Sequence, residues 1–168
     1  MKNLAFIDGQ NLHLGTSADN WSVNFKRFRI YLKDKYKTKE AYYFFGYISE
    51  QQTELYAKVK QAGFTLVFKE HHKNIKSQKK GNVDTDIVFE IMKSLIEKEF
   101  HKVILVSGDG DYKKTVDYLI QKEKFEKIIF PNIKFASSLY KKLGNHYQVN
   151  LGSDDIRKKI THIKKKVP

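Results

Sequence analysis

Four aspartates stand where chemistry is possible: Asp8 at the end of an apolar run, Asp84 at the start of a long amphipathic stretch, and Asp109 and Asp111 in a glycine-rich turn. Brought to one place, such carboxylates repel one another. The simplest relief is a hard divalent cation with oxygen ligands, Mg²⁺ or Mn²⁺. Histidines do not accompany these acids, which argues against zinc. The chain has no cysteine among its 168 residues, which removes disulfides, thiolate metal sites and cysteine catalysis. A carboxylate-held ion suits phosphodiester hydrolysis, because it polarises a phosphoryl oxygen, lowers the pKa of water and stabilises the leaving oxygen.

For that chemistry the acids must share one rim, and the elements between them decide whether they do. Continuously apolar runs at 4–7, 41–48, 64–68, 103–106 and 128–130 read as strands, with a sixth at 147–151. Helical periodicity occupies 24–36, 51–62, 83–100, 112–122 and, more briefly, 135–143. Alternation of this kind predicts an α/β domain in three layers, with a central, mostly parallel sheet of five to six strands covered by helices on both faces. Open parallel sheets bind ligands beyond the carboxyl ends of their strands, where strand order reverses. The first strand ends in Asp8-Gly9-Gln10-Asn11 and the fourth in Ser107-Gly108-Asp109-Gly110-Asp111. If those strands are neighbours at the switch point, Asp8, Asp109 and Asp111 converge.

Helical phase selects the fourth acid. With Asp84 at 0° and about 100° per residue, Val88, Ile91 and Leu95 fall at about 40°, 340° and 20°. Asp84 thus extends the core-facing stripe. Asp86 falls at about 200°, on the solvent face, where it favours the helix dipole. Each aspartate also has a purely structural reading: Asp84 and Asp111 as helix N-caps, Asp8 and Asp109 as turn residues beside glycine. Turns and caps, however, do not require all four acids to meet.

Lys and Arg number 32 against 19 Asp and Glu, a net charge of +13, which points to a polyanionic partner or else to a lysine-rich solvated surface. The segment before Asp84 carries Lys69, His71, His72, Lys73, Lys76, Lys79 and Lys80. It reads either as a set of phosphate contacts or as a solvated, mobile loop. The last residues, from Ser153 to the run Lys164-Lys165-Lys166, read as a loose basic arm. The expected organisation is one domain over 1–152 and a basic C-terminal tail over 153–168. No apolar stretch approaches a membrane span or a signal-peptide core, so a cytoplasmic protein without a membrane partner is expected.

Three motifs resemble those of NYN domains, the PIN-like nuclease branch that includes LabA-like proteins. They are Phe6-Ile7-Asp8-Gly9-Gln10-Asn11-Leu12, Lys80-Gly81-Asn82-Val83-Asp84 and Ser107-Gly108-Asp109-Gly110-Asp111-Tyr112, in the family's order and over about residues 1–150. Tyr112 stands where the family often has Phe. The resemblance implies a PIN-like fold and Mg²⁺- or Mn²⁺-dependent ribonuclease activity. By position it implies that Asp8, Asp84, Asp109 and Asp111 surround the metal as catalytic ligands, and that Asn11 and Ser107 orient ligands or substrate. Lys76, Lys79 and Lys80 are the expected substrate contacts, single-stranded RNA the favoured substrate with DNA not excluded, and a homodimer is left open.

Other functions fit less well. A haloacid-dehalogenase-type phosphatase needs its nucleophile motif after an apolar strand, and Gln78-Lys79-Lys80-Gly81-Asn82 before Asp84 is not one. A receiver-type switch needs an aspartate after the third strand, where Lys69-Glu70 stands. The serious alternative is a non-catalytic RNA-binding or adaptor domain, which would carry the repulsion of four acids to no purpose.

Overall fold

A computed structural model describes residues 1–70 and 82–162. Six parallel strands form one sheet in the order β3-β2-β1-β4-β5-β6: β1 (Asn3–Asp8), β2 (Thr38–Tyr47), β3 (Thr65–Lys69), β4 (Val103–Val106), β5 (Phe125–Phe130) and β6 (Gln148–Asn150). The chain runs outward from β1 to β3, then returns to the centre and runs outward again from β4 to β6. The strand order therefore reverses between β1 and β4, which pair with Ile7 opposite Val106.

Strand side chains alternate between two apolar layers, and each layer explains the helices above it. Leu4, Phe6, Leu105 and Ile128 face α4 (Asp84–Glu97) and α5 (Lys113–Gln121), meeting Ile87, Ile91, Val116 and Leu119. On the other face Ala5, Ile7, Ile104 and Ile129 meet α1 (Gly9–Ser17), α2 (Phe25–Tyr36), α3 (Thr53–Gln61) and α6 (Asp154–Ile160) through Leu12, Phe28, Leu32, Val59 and Ile160. Each of the large side chains among these stabilises the fold by about 1.5–3 kcal/mol through burial. Both faces of β1 and β4 are sealed, so their ends alone reach solvent.

Three elements differ from the sequence reading. Helix α1 was not anticipated: Gly9-Gln10-Asn11-Leu12-His13-Leu14-Gly15-Thr16-Ser17 has only Leu12, Gly15 and Thr16 as an inner face beyond Gly9. Gly15 lies so close to Pro131 that an added Cβ would stand 2.7 Å from the proline Cβ, and this tight seat replaces a large apolar stripe. The expected helix at 135–143 is instead a pair of 3₁₀ turns, Ile133–Phe135 and Ser138–Lys142, capped by Asn132 and Ser137. Short side-chain caps at both positions interrupt the ladder and leave Phe135 and Leu139 in solvent. The basic arm expected from Ser153 is helix α6 over 154–160. It docks on α2 through buried Ile160, a bridge between Val23 and Thr161, and the Arg157 guanidinium 5.1 Å from the Trp21 ring centroid.

Candidate metal centre

The loop after β1 turns at once into α1, and Asp8 makes that turn. Its Oδ1 accepts the Asn11 N–H at 3.1 Å as the N-cap. Gly9 is required there, because an added Cβ would lie 2.6 Å from the Phe44 carbonyl oxygen of the neighbouring strand. The loop after β4 is fastened to the same place. Asn11 Oδ1 accepts the Gly108 N–H at 2.9 Å, and Ser107 Oγ accepts the Asp109 N–H at 3.1 Å. Asp109 Oδ1 in turn accepts the Asp111 N–H at 2.9 Å, which closes the 3₁₀ turn Gly110–Tyr112 ahead of α5. Tyr140 holds the turn from outside, its hydroxyl donating to the Asp109 carbonyl at 2.5 Å.

Asp84 is the first residue of α4. The N-cap position is Val83, and Asn82 just before it accepts the Asp84 N–H through Oδ1 at 2.8 Å. The Asp84 carboxylate is thus released from capping and lies with Asp109 and Asp111: one oxygen from each falls within 4.8 Å of the others. Among the described residues these three are the acidic or histidine group compact enough to share one ion. Asp86 turns elsewhere, 3.6 Å from Lys69 Nζ at the end of β3.

Asp8 is not part of that trio. It is 5% exposed and stands behind it, with Oδ2 accepting from Tyr112 Oη at 3.2 Å and Ser107 Oγ at 3.4 Å. The sequence reading expected Asp8, Asp84 and Asp109 to converge with Asp111 at the edge; in the structure Asp84, Asp109 and Asp111 form the compact group, and Asp8 stands one hydroxyl away, sharing Tyr112 Oη with Asp84. Ser107, expected to orient ligands or substrate, is fully buried; its hydroxyl donates to Asp8 Oδ2 and accepts the Asp109 N–H, so it contacts two of the candidate ligand aspartates. Lys76, Lys79 and Lys80 lie outside the described residues.

Tyr112 is the residue that sequence reasoning undervalued. Its fully buried hydroxyl donates to Asp84 Oδ1 at 2.7 Å and also lies within reach of Asp8 Oδ2. The signal was in the third motif, as a tyrosine in a place where phenylalanine would pack equally well.

The electrostatics follow from this packing. Burial pushes the Asp84 carboxyl up to about 6. The Tyr112 hydroxyl and Asn82 oppose the shift, while the Asp109 charge and Asp111 add to it. Burial also raises Asp8, against the Asn11 N–H and the Tyr112 hydroxyl. The Tyr112 phenol is raised far above its ordinary range by burial and by the charges of Asp8 and Asp84, so it remains a proton donor.

The residues fit a hard divalent cation. All donors are carboxylate oxygens, and Asp84 Oδ2 is buried without a hydrogen-bond partner among the described residues. One oxygen from each of the three aspartates lies within 4.8 Å of the others, close enough for a single hard cation to be shared. Asp84, Asp109 and Asp111 would hold such an ion, with Asp8 adding negative charge from behind.

Comparison with known proteins agrees with this architecture. The family model described as NYN domain matches residues 4–148. The low amplitude and bright protein LabA of Synechococcus elongatus is 22% identical over 172 residues, covering 97% of this chain and 89% of that protein. The crystal structure of VPA0982, a protein of unknown function from Vibrio parahaemolyticus, superposes with a TM-score of 0.70 at 19% identity. It covers 89% of this chain and 93% of its own, a likeness of fold. The matched segment contains both strand-end loops and the start of α4, and NYN domains are a PIN-like nuclease family whose substrates are nucleic acids. The chain belongs to the NYN domain family.

Proposed function

We propose that the protein is a divalent-metal-dependent ribonuclease that hydrolyses phosphodiester bonds, with single-stranded RNA as substrate and Mg²⁺ or Mn²⁺ as cofactor. The observation that carries this reading is the convergence of Asp84, Asp109 and Asp111 at the switch point of the sheet, with one buried Asp84 oxygen left unpaired. A bound divalent ion supplies Lewis acidity toward a phosphoryl oxygen and lowers the pKa of water.

The chain's own residues do the rest. Asp84, Asp109 and Asp111 concentrate negative charge at a partly exposed rim. The Tyr112 hydroxyl fixes the Asp84 carboxylate, Asn82 holds the Asp84 backbone N–H, and Asn11 and Ser107 fix the loop that carries Asp109. The net charge of +13 attracts the polyanion while the acids keep its phosphates off the rim unless a cation intervenes. Lys76, Lys79 and Lys80, close in sequence to Asp84, are proposed to hold the RNA backbone.

The test is cleavage of a short single-stranded RNA by the full chain in Mg²⁺ or Mn²⁺, with a chelator control and the Asp109→Asn variant. Loss of one ligand removes stabilisation worth several kcal/mol, so cleavage should fall roughly a hundredfold or more. Cleavage that survives the chelator, or an Asp109→Asn variant as active as the parent, refutes the reading. Metal-dependent RNA binding without cleavage would mark a non-catalytic RNA-binding domain.

A further inference from the structure

Beside the aspartates lies a groove of about 240 Å³ lined by Asn11, Leu14, Gly15, Gly108, Asn132 and Phe135. Its walls come from α1 and from the turn Ile133–Phe135, and it reaches the acidic loop at Gly108, the residue before Asp109. Gly108 belongs to both: it precedes Asp109, its carbonyl accepts the Ser137 N–H at 2.9 Å, and an added Cβ would stand 3.3 Å from Ala136 Cα. Asn11 also belongs to both, since its Oδ1 holds Gly108 while its amide nitrogen has no partner among the described residues.

The rim of this groove is unusually apolar for a surface. Phe135 is 66% exposed and Leu14 54%, and Ile133 and Leu139 are exposed nearby. Leu139 is within reach of Gly110, where an added Cβ would meet its Cδ1 at 3.0 Å. The segment that presents these side chains interleaves them with exposed Lys134, Lys141 and Lys142. Exposed aromatic faces among cations beside a phosphate-directed site are the chemistry of single-stranded nucleic-acid binding, in which bases stack on rings and lysines follow the backbone. Exposed apolar surface of this kind otherwise carries a cost in solubility that a monomeric domain avoids.

We propose that this groove is a nucleobase subsite of the same site: a base of the single-stranded substrate stacks on the Phe135 ring with its edge toward the Asn11 amide, next to the phosphate held at the aspartates. The inference rests on the ribonuclease reading and gives it a geometry, since it places one unstacked base beside the scissile phosphate. It favours single strands, because a base inside a duplex cannot leave its stack without cost. It also predicts tolerance of base identity, because every base has a π-face.

The experiment is a cycle of binding measurements in the Asp109→Asn background, with Mg²⁺ present. It uses a short fluorescent single-stranded RNA and an abasic ribose-phosphate strand of the same length. Phe135→Ala should weaken binding of the intact strand by about tenfold or more, the range found for loss of one base–aromatic stack. Phe135→Trp should restore it, and neither change should alter binding of the abasic strand. Because the ring is exposed, both variants should melt with the parent. Equal loss on the two strands, or no loss on the intact one, overturns the subsite, as does a parent that binds both strands alike. Failure of the ribonuclease reading shows separately, as an unmutated protein that does not cleave in Mg²⁺ or Mn²⁺ while the base-dependent difference in binding persists.

Discussion

Tyr112→Phe isolates one hydroxyl. The ring keeps its place, fully buried against α4 and the β-sheet, so no cavity opens. What disappears is a donor 2.7 Å from Asp84 Oδ1 and 3.2 Å from Asp8 Oδ2. A hydrogen bond to a charged group is worth about 1.5–3 kcal/mol, and the proton can serve only one carboxylate at a time, so a loss of about 2 kcal/mol is expected in the metal-free protein at pH 8. For a chain of this length that corresponds to a fall in Tm of roughly 4–8 °C. The loss should shrink below about pH 6, because Asp84, raised to about 6, then becomes neutral and needs the donor less. The Tyr112 bond lowers the Asp84 pKa, so the variant holds its Asp84 proton to higher pH. Since an ion requires the ionised carboxylate, the acid limb of Mn²⁺ binding should move upward. Thermal melts with chelator at pH 5 and pH 8, together with Mn²⁺ titrations between them, decide the matter. A variant that melts with the parent at pH 8 and whose Mn²⁺ binding keeps its pH midpoint refutes the role assigned to the hydroxyl.

Two further outcomes follow from the same geometry. Asp84 has a folded-state pKa raised above its unfolded value, so the folded chain binds the extra proton between about pH 4 and 6 and the metal-free protein loses stability as pH rises through that window. Asp84→Asn should reduce that dependence, leaving the part due to Asp8, and stabilise the metal-free protein at pH 8 by on the order of 1–2 kcal/mol after allowance for solvent screening, and denaturant titrations at pH 4.5 and 8 measure both. Gly9→Ala should cost roughly 1–3 kcal/mol, read as a lower denaturant midpoint, because its Cβ would be driven toward the Phe44 carbonyl; an unchanged midpoint would mean that the turn after β1 relaxes freely.

The α/β class and the switch point were legible because they rest on strong, repeated signals. Val103-Ile104-Leu105-Val106 is apolar at every position, as a strand covered on both faces must be, and β1 reads the same way. The phase of α4 set Asp84 inward and Asp86 on the solvent face; the structure sets Asp84 with Asp109 and Asp111, whereas Asp86 is half-buried, its enclosed Oδ2 3.6 Å from Lys69 Nζ. Helix α1 escaped notice because its inner face is made of small residues, whose fit depends on Pro131, more than a hundred residues away. The C-terminal helix escaped for the opposite reason. Its charges read as a solvated arm, and the one fully buried anchor, Ile160, gains its meaning from α2 and the segment before it.

Periodicity also misread the stretch that matters most to the proposed subsite. Phe135, Leu139 and Leu143 are spaced by four, and as one helix they would have shared a buried face. In the structure Asn132 and Ser137 each accept a backbone N–H two residues ahead, and the two short turns that result bury Tyr140 and Leu143 while turning Phe135 and Leu139 outward beside Gly108 and Gly110. The exposed Phe135 ring beside Gly108 is the feature on which the proposed subsite rests. Inside the site stands Tyr112: a phenol buried between two carboxylates is a poorer way to fill a core than a phenylalanine, and its hydroxyl is accounted for by the carboxylates it joins.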